Sequence, residues 1–282
     1  MSESIPEAGL PPLLPGPVAE AAPVARWRWW AHLLLIGSYP LIIVALGSLR
    51  GPDHEPALSQ SVRGLLIVCA AELVLFSLVF GLGWLFSRAS RDELLLRWRP
   101  GVWVVPLGLG YSLGIRMAVG FLVAVISAVV IATGAATPES LKQFFTDNRP
   151  QIETLVDVPM LRNNPAYYWL SLTLVSFVVA GLREELWRTA VLSAMPKLWP
   201  RAFDSFVGQL IAVVLIAAVF GAAHANQGVI GATMAGLLGL LLGVIMVWHR
   251  SIWPAVIAHG LFDATSIALI PFAMEKFKQM AH

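Results

Sequence analysis

The sequence predicts an all-α, polytopic transmembrane helix bundle with seven or eight spans. Three observations carry this. Hydrophobic residues make up 57% of the 282 positions and charged residues only 13%, where a soluble domain has about 25% charged residues. The mean hydropathy is +0.74. Apolar runs close to the ~20 residues that cross a hydrocarbon core recur along the chain. The formal net charge of +2 is small and the basic residues are dispersed between apolar runs, which argues against a nucleic-acid partner. The one cysteine, Cys69, excludes an intramolecular disulfide and a multi-cysteine metal site; inside an apolar run it reads as a small core residue.

Residues 1–28 read as a disordered, Pro/Ala-rich cytoplasmic tail, because Met1 to Pro23 lacks the basic start and small-residue cleavage site of a signal peptide. Trp27, Trp29 and Trp30, beside Arg26 and Arg28, resemble an interfacial anchor. Residues 29–136 form the N-terminal transmembrane helices, with runs Ala31 to Leu49, Leu65 to Phe86 and Val102 to Ala136. The third is long and interrupted by Gly108, Gly110, Gly114 and Arg116, so it reads as one element, two, or a span with a re-entrant piece. The basic loop with Arg88, Arg91, Arg97 and Arg99 belongs in the cytoplasm by the positive-inside rule. Residues 137–165 read as a surface loop in preference to an amphipathic lid. The core, 166–273, holds the runs Tyr167 to Leu182, Phe206 to Ala223, Val229 to Trp248 and Ile252 to Ala273, and 274–282 is a tail. The expected location is a bacterial inner (plasma) membrane, with the lipid bilayer as a partner.

One stretch breaks the apolar pattern. Gly181-Leu182-Arg183-Glu184-Glu185-Leu186-Trp187-Arg188 follows directly on the run that starts at Tyr167. On a helix, Glu184 and Arg188 share a face at i,i+4. Ionisable groups within or at the edge of a bilayer are costly and commonly mark function, although a juxtamembrane stop signal also looks like this. Two histidines stand out as well. His224 closes the run ending Val219-Phe220-Gly221-Ala222-Ala223, and His259 lies within the last run with Asp263 four residues on. His32 and His249 flank spans, His54 is in a loop and His282 is terminal.

An acidic doublet, two histidines and an aspartate on separate helices can converge inside a bundle. Carboxylate plus imidazole suits hydrolysis, with a glutamate taking a proton from water and a His or amide stabilising the oxyanion.

The C-terminal half resembles the CPBP family of intramembrane proteases, which includes the type II CAAX prenyl endopeptidases and bacteriocin-processing or self-immunity proteins. Three family motifs occur in order: the acidic doublet followed by Arg188, Phe-x-x-x-His as Phe220 to His224, and His-x-x-x-Asn/Asp as His259 to Asp263. The family's first motif is usually Glu-Glu-x-x-x-Arg, and here it is one residue shorter. Aligned on the doublet, Glu184 takes the general base's place; aligned on the arginine, it takes that of the second glutamate. The resemblance implies an endopeptidase acting on membrane-associated protein or peptide substrates. Glu184 or Glu185 would activate water, either directly or on a Zn2+ ion held by His224 and His259. Asp263 would orient His259 or donate to the oxyanion, Arg188 would hold a glutamate ionised, and Phe220 would pack beside the substrate.

Other readings stay open. One is a non-catalytic immunity or scaffold protein of the same fold, supported by the short first motif. A small transporter would also use intramembrane Glu, Arg and His. A rhomboid-like serine protease would use Gly110-Tyr111-Ser112-Leu113-Gly114 with His259. The depths also conflict: with both helices entering at one surface, His224 lies ~27 Å along its run and His259 only ~10 Å. An extension of the Glu184 helix past Leu192 toward Met195 would place the site deep in a wet cavity.

Overall fold

A computed structural model describes residues 24–48, 58–99, 101–151 and 155–280. The tail Met1 to Pro23, Arg50, His54, Glu153 and His282 lie outside the described residues. Among the described residues there is no strand, and seven helical segments are long and apolar enough to cross a membrane. The second is α3 (Val62–Ser87) and the third is α4 (Val104–Ala132) behind a short 3-10 turn. Then follow α10 (Phe206–Ala223), α11 (Gly228–His249) and α12 (Trp253–Met280). The third run is thus one continuous helix and supplies no eighth span. With no water to receive freed backbone groups, the chain keeps its helical hydrogen bonds through Gly110 and Gly114.

The first span breaks in the middle. Helix α1 (Arg26–Gly37) ends and α2 (Tyr39–Ser48) begins around Ser38. Pro40 has no N–H to give to the carbonyl four residues earlier. That carbonyl, of Ile36, instead accepts the indole N–H of Trp187 at 2.9 Å. The break is therefore bonded to the fourth span, and it turns Tyr39 toward the site described below.

The fourth span runs well past the expected end at Leu182. It comprises α7 (Pro165–Leu170), a π-helical segment (Ser171–Leu182) and α8 (Arg183–Leu198). Asn164 caps its start, accepting from the Tyr167 N–H at 3.1 Å. Hydropathy ended the run at the charges, but those charges are paired inside the bundle, so the helix continues as the depth argument required. Between the third and fourth spans the connection carries two short helices, α5 (Pro138–Asp147) and α6 (Val158–Asn163). Thr137 and Ser140 close a capping box on α5.

The basic loops lie together at one end. Glu93 meets Lys197 of α8 at 2.6 Å, the Ile252 N–H donates to Leu95 O at 2.9 Å, and Ser251 Oγ donates to Arg97 O at 2.9 Å. Arg26 donates to Leu198 O at 2.5 Å. Burial pushes the Glu93 carboxyl up, but hydrogen bonds from Lys197 and Ser90 outweigh it and hold the group below the usual carboxylate range.

This end explains the depth conflict. Ser251 and Ile252 are fully buried, as is Leu94 of the covering loop. Helix α12 therefore starts inside the protein, not at the surface plane where the sequence reading put it, and its sixth and seventh residues already lie deep.

The spans around the site pack closely. A side chain at Gly181 would meet the Val256 carbonyl at 3.0 Å, so the π segment and α12 run almost backbone to backbone. Cys69 is a buried core residue as expected. His32 departs from its expected flanking position. It is buried within the bundle, with its ring nitrogens 3.0 Å from the carbonyls of Gly83 and Ala190, and so joins α1 to α3 and α8.

Candidate functional site within the bundle

The acidic doublet forms the first turn of α8. The π segment before it is wider than an α-helix, and within it Ser176 Oγ donates to the Ser171 carbonyl five residues back at 2.9 Å. π geometry is uncommon and tends to occur at functional sites. Here it changes the phase in which Arg183, Glu184 and Glu185 meet their neighbours.

Glu185 points into the dry interior and is 0% exposed. Its Oε1 accepts from Arg188 and from His259 Nδ1 at 2.9 Å. Its Oε2 has no partner. Arg188, also buried, donates to the Gly239 carbonyl of α11 at 3.1 Å and lies 4.6 Å from the centre of the Phe220 ring. One cluster thus joins α8, α10, α11 and α12. The expected Glu184–Arg188 pair is not the one formed, because Arg188 takes Glu185 at i,i+3. Residues three and four apart are both within reach on a helix, and the tertiary partners choose between them.

Glu184 turns the other way. Its side chain is 16% exposed and lines a cavity of about 520 Å3 together with His224, His259 and Asp263. Oε1 accepts from Arg183 at 2.9 Å, and Oε2 lies 3.8 Å from His259 Nε2. Asp263, one turn beyond His259 on α12, brings Oδ2 to 3.4 Å from the same nitrogen. His224 closes α10, with Nδ1 at 2.8 Å from the Phe220 carbonyl. It is close enough to Glu184 and Asp263 to interact electrostatically with both. The Phe220 ring lies 4.5 Å from the His224 ring. The remaining walls are mostly apolar, with Ile43, Val175, Val179, Leu238 and Ile267 among them, and the volume is that of an ordinary small-ligand pocket.

The two histidines are anchored alike. A carbonyl and a carboxylate only accept, so the contact to Phe220 O puts a proton on Nδ1 of His224. At His259 the Glu185 Oε1 contact of 2.9 Å, shorter than the 3.2 Å approach of Arg188 Nη2 to the same nitrogen, does the same; Nε2 of each ring is left for the cavity. That is the form in which a histidine ligates a metal, and His224 and His259 are the donors a zinc ion would use. The donor types fit zinc, but the spacing does not. Among the described residues no three of His, Cys, Asp and Glu stand close enough to hold an ion.

All the residues singled out from sequence, Glu184, Glu185, Arg188, Phe220, His224, His259 and Asp263, meet around this cavity or directly behind it. Ser112 does not. It is buried and absent from the cavity wall, while His259 Nδ1 is engaged by Glu185.

Glu72 and Tyr39 belong to none of the motifs, and Arg183, part of the charged stretch, has a role that the motifs do not assign. Arg183 Nη1 bonds Glu72 Oε2 at 2.6 Å and Tyr39 OH at 3.1 Å, and all three line the cavity. Glu72 carried a signal: it is the lone acid in the middle of the second apolar run, where a charge requires a partner. Arg116 of α4 is a further intramembrane charge. It donates to the Phe262 carbonyl at 2.5 Å and stacks on the Phe262 ring at 4.1 Å, next to Asp263.

Seven membrane-crossing helices around a cavity that gathers carboxylates and imidazoles define an integral membrane protein with a polar site inside the bundle. Residues 166–265 match the family model described as type II CAAX prenyl endopeptidase, Rce1-like, and this supports membership of the CPBP family of intramembrane proteases. No curated protein and no solved structure matches the chain. The matched region contains all three motifs.

Proposed function

We propose that the protein is an endopeptidase of the bilayer that hydrolyses peptide bonds of membrane-associated protein or peptide substrates, with Glu184 as the general base. The observation that carries this reading is the contrast within the doublet: Glu184 opens on the cavity beside both imidazoles, whereas Glu185 is sealed behind them.

In the proposed reaction a water molecule between Glu184 and the histidines loses a proton to the Glu184 carboxylate. The resulting hydroxide attacks the scissile carbonyl carbon. The negative charge passes to the carbonyl oxygen, where Nε2–H of His224 or His259, in imidazolium form, donates to it. Collapse breaks the C–N bond, and the proton on Glu184 passes to the leaving amine. Glu185 holds His259 through Nδ1, and Arg188 holds Glu185. Asp263 orients His259 or, when protonated, donates to the oxyanion. Phe220 packs against the substrate side of His224. The protein would work in a bacterial inner membrane, on substrates that reach the cavity from the bilayer.

In this reading the chain's own groups carry the chemistry, so cleavage is expected to persist in excess chelator. The test is purified protein in detergent with a fluorogenic peptide library, with and without chelator. Cleavage by the wild type that is lost in Glu184→Gln, His224→Ala and His259→Ala supports the reading. Normal cleavage by all three variants would sink it, and loss in chelator restored by zinc would replace the metal-free mechanism with a zinc-bound one.

A further inference from the structure

The CPBP-like motifs lie on the fourth, fifth and seventh spans, yet the cavity wall also contains Tyr39 of α2 and Glu72 of α3. Both meet the membrane-embedded Arg183, whose side chain is only 12% exposed. Its Nη1 donates to Glu72 Oε2 at 2.6 Å and to Tyr39 OH at 3.1 Å, and its Nη2 donates to Glu184 Oε1 at 2.9 Å. The planar guanidinium thus spans two carboxylates with different nitrogens, a geometry that lysine cannot reproduce.

Arg183 precedes Glu184 in the chain, so alone it would move with the turn that carries Glu184. Glu72 and Tyr39 fix it to the first and second spans. With Oε1 of Glu184 held from outside its own helix, Oε2 is left on the His259 side. The other charged or titratable groups near Glu184 are His224 at the end of α10, His259 and Asp263 on α12, and Arg188 and Glu185 on α8. None of them binds Oε1.

We propose that Glu72 and Arg183 form a positioning clamp that aims the Glu184 carboxylate at the reacting water, so that the second span contributes to the reaction without touching substrate. This rests on the reading of Glu184 as the base. The clamp explains why a charged residue can be retained in the middle of an otherwise apolar span, and why the chain can use a first motif one residue short. The arginine that orients the base is Arg183, leaving Arg188 to Glu185.

The test compares Arg183→Met, Arg183→Lys, Glu72→Gln and the double variant Glu72→Gln/Arg183→Met in the full chain, using the peptide that the wild type cleaves best. Misplacing a reacting group by about 1 Å costs on the order of 10²-fold. Arg183→Met is therefore expected to lose about 10²-fold in kcat with KM nearly unchanged, the pattern of an interaction used in the transition state. Glu72→Gln should lose less, the double variant should be no worse than Arg183→Met alone, and Arg183→Lys should recover part of the loss. Wild-type kcat in Arg183→Met or Glu72→Gln, or losses that multiply in the double variant, would overturn the clamp.

A second readout does not need turnover. Labelling of Glu184 by dicyclohexylcarbodiimide, mapped by peptide mass spectrometry, should rise severalfold when its ion pair is removed in Arg183→Met or loosened in Glu72→Gln. Unchanged labelling in both would overturn the clamp even if no peptide is cleaved, an outcome that would count separately against the protease reading. If Arg183→Met does not accumulate in the membrane, Glu72→Gln and Arg183→Lys carry both readouts.

Discussion

Glu184 and Glu185 are adjacent in sequence and occupy opposite environments. Glu185 has no exposure, is bonded by Arg188 and His259, and sits where four helices meet. Glu184 faces a cavity, is held by Arg183, and looks toward two imidazoles and a second carboxylate. Chemically identical side chains thus divide into a group that maintains the bundle and a group available to a reactant. The direction of a single helical turn, set by the π segment before it and the partners around it, makes the difference.

The contrast can be broken at each member. The largest expected effect falls on the cavity side. A general base contributes about 10²–10⁴-fold, so Glu184→Gln should lose on the order of 10³-fold in kcat, the middle of that range, while thermal unfolding stays close to wild type, because Arg183 retains Glu72. On the dry side the effect should move to stability. Removing one partner of a buried ion pair costs about 3–5 kcal/mol, so Arg188→Ala should unfold at clearly lower temperature or denaturant in a detergent unfolding assay.

A smaller effect is expected at Asp263. As an acid it donates to an oxyanion only when protonated, whereas asparagine donates at any pH. Asp263→Asn should stay active, and any decline in kcat with rising pH that depends on this donor should flatten. A pH profile identical to wild type would assign Asp263 to orienting His259.

The smallest effect concerns the basic end, far from the cavity. The native pairing of Glu93 with Lys197 and Ser90 holds its carboxyl below the usual range. The stability it contributes is present above the unfolded pKa, near 4.3, and is lost as pH falls through the folded value. Glu93→Gln should therefore narrow the gap in unfolding temperature between neutral and acid pH. The gap should shrink only slightly, since exposed pairs contribute about 0–1 kcal/mol.

Much of the fold was legible because bilayer length and hydropathy constrain it strongly. The spans were placed within a few residues, except where partnered charges extended the fourth past Leu182. Convergence of Glu184, Glu185, His224, His259 and Asp263 was legible from three short motifs. The partner of Arg188 was not, since i,i+3 and i,i+4 neighbours are equally reachable on a helix and only Arg183, Glu72 and Tyr39 determine which acid it receives. The break at Ser38 had its signal in Pro40, but the donor that takes up the freed Ile36 carbonyl, Trp187, lies 151 residues away. The buried start of α12 had no signal in α12 itself, because it depends on the loop around Leu94 covering Ile252.

The central claim is tested most directly by measuring kcat and unfolding temperature side by side for Glu184→Gln and Glu185→Gln. The expected result is a crossed pattern: Glu184→Gln inactive with near-native stability, Glu185→Gln less stable but retaining cleavage well above that of Glu184→Gln. Glu185→Gln inactive at native stability, with Glu184→Gln still cleaving, would contradict it and move the base to Glu185.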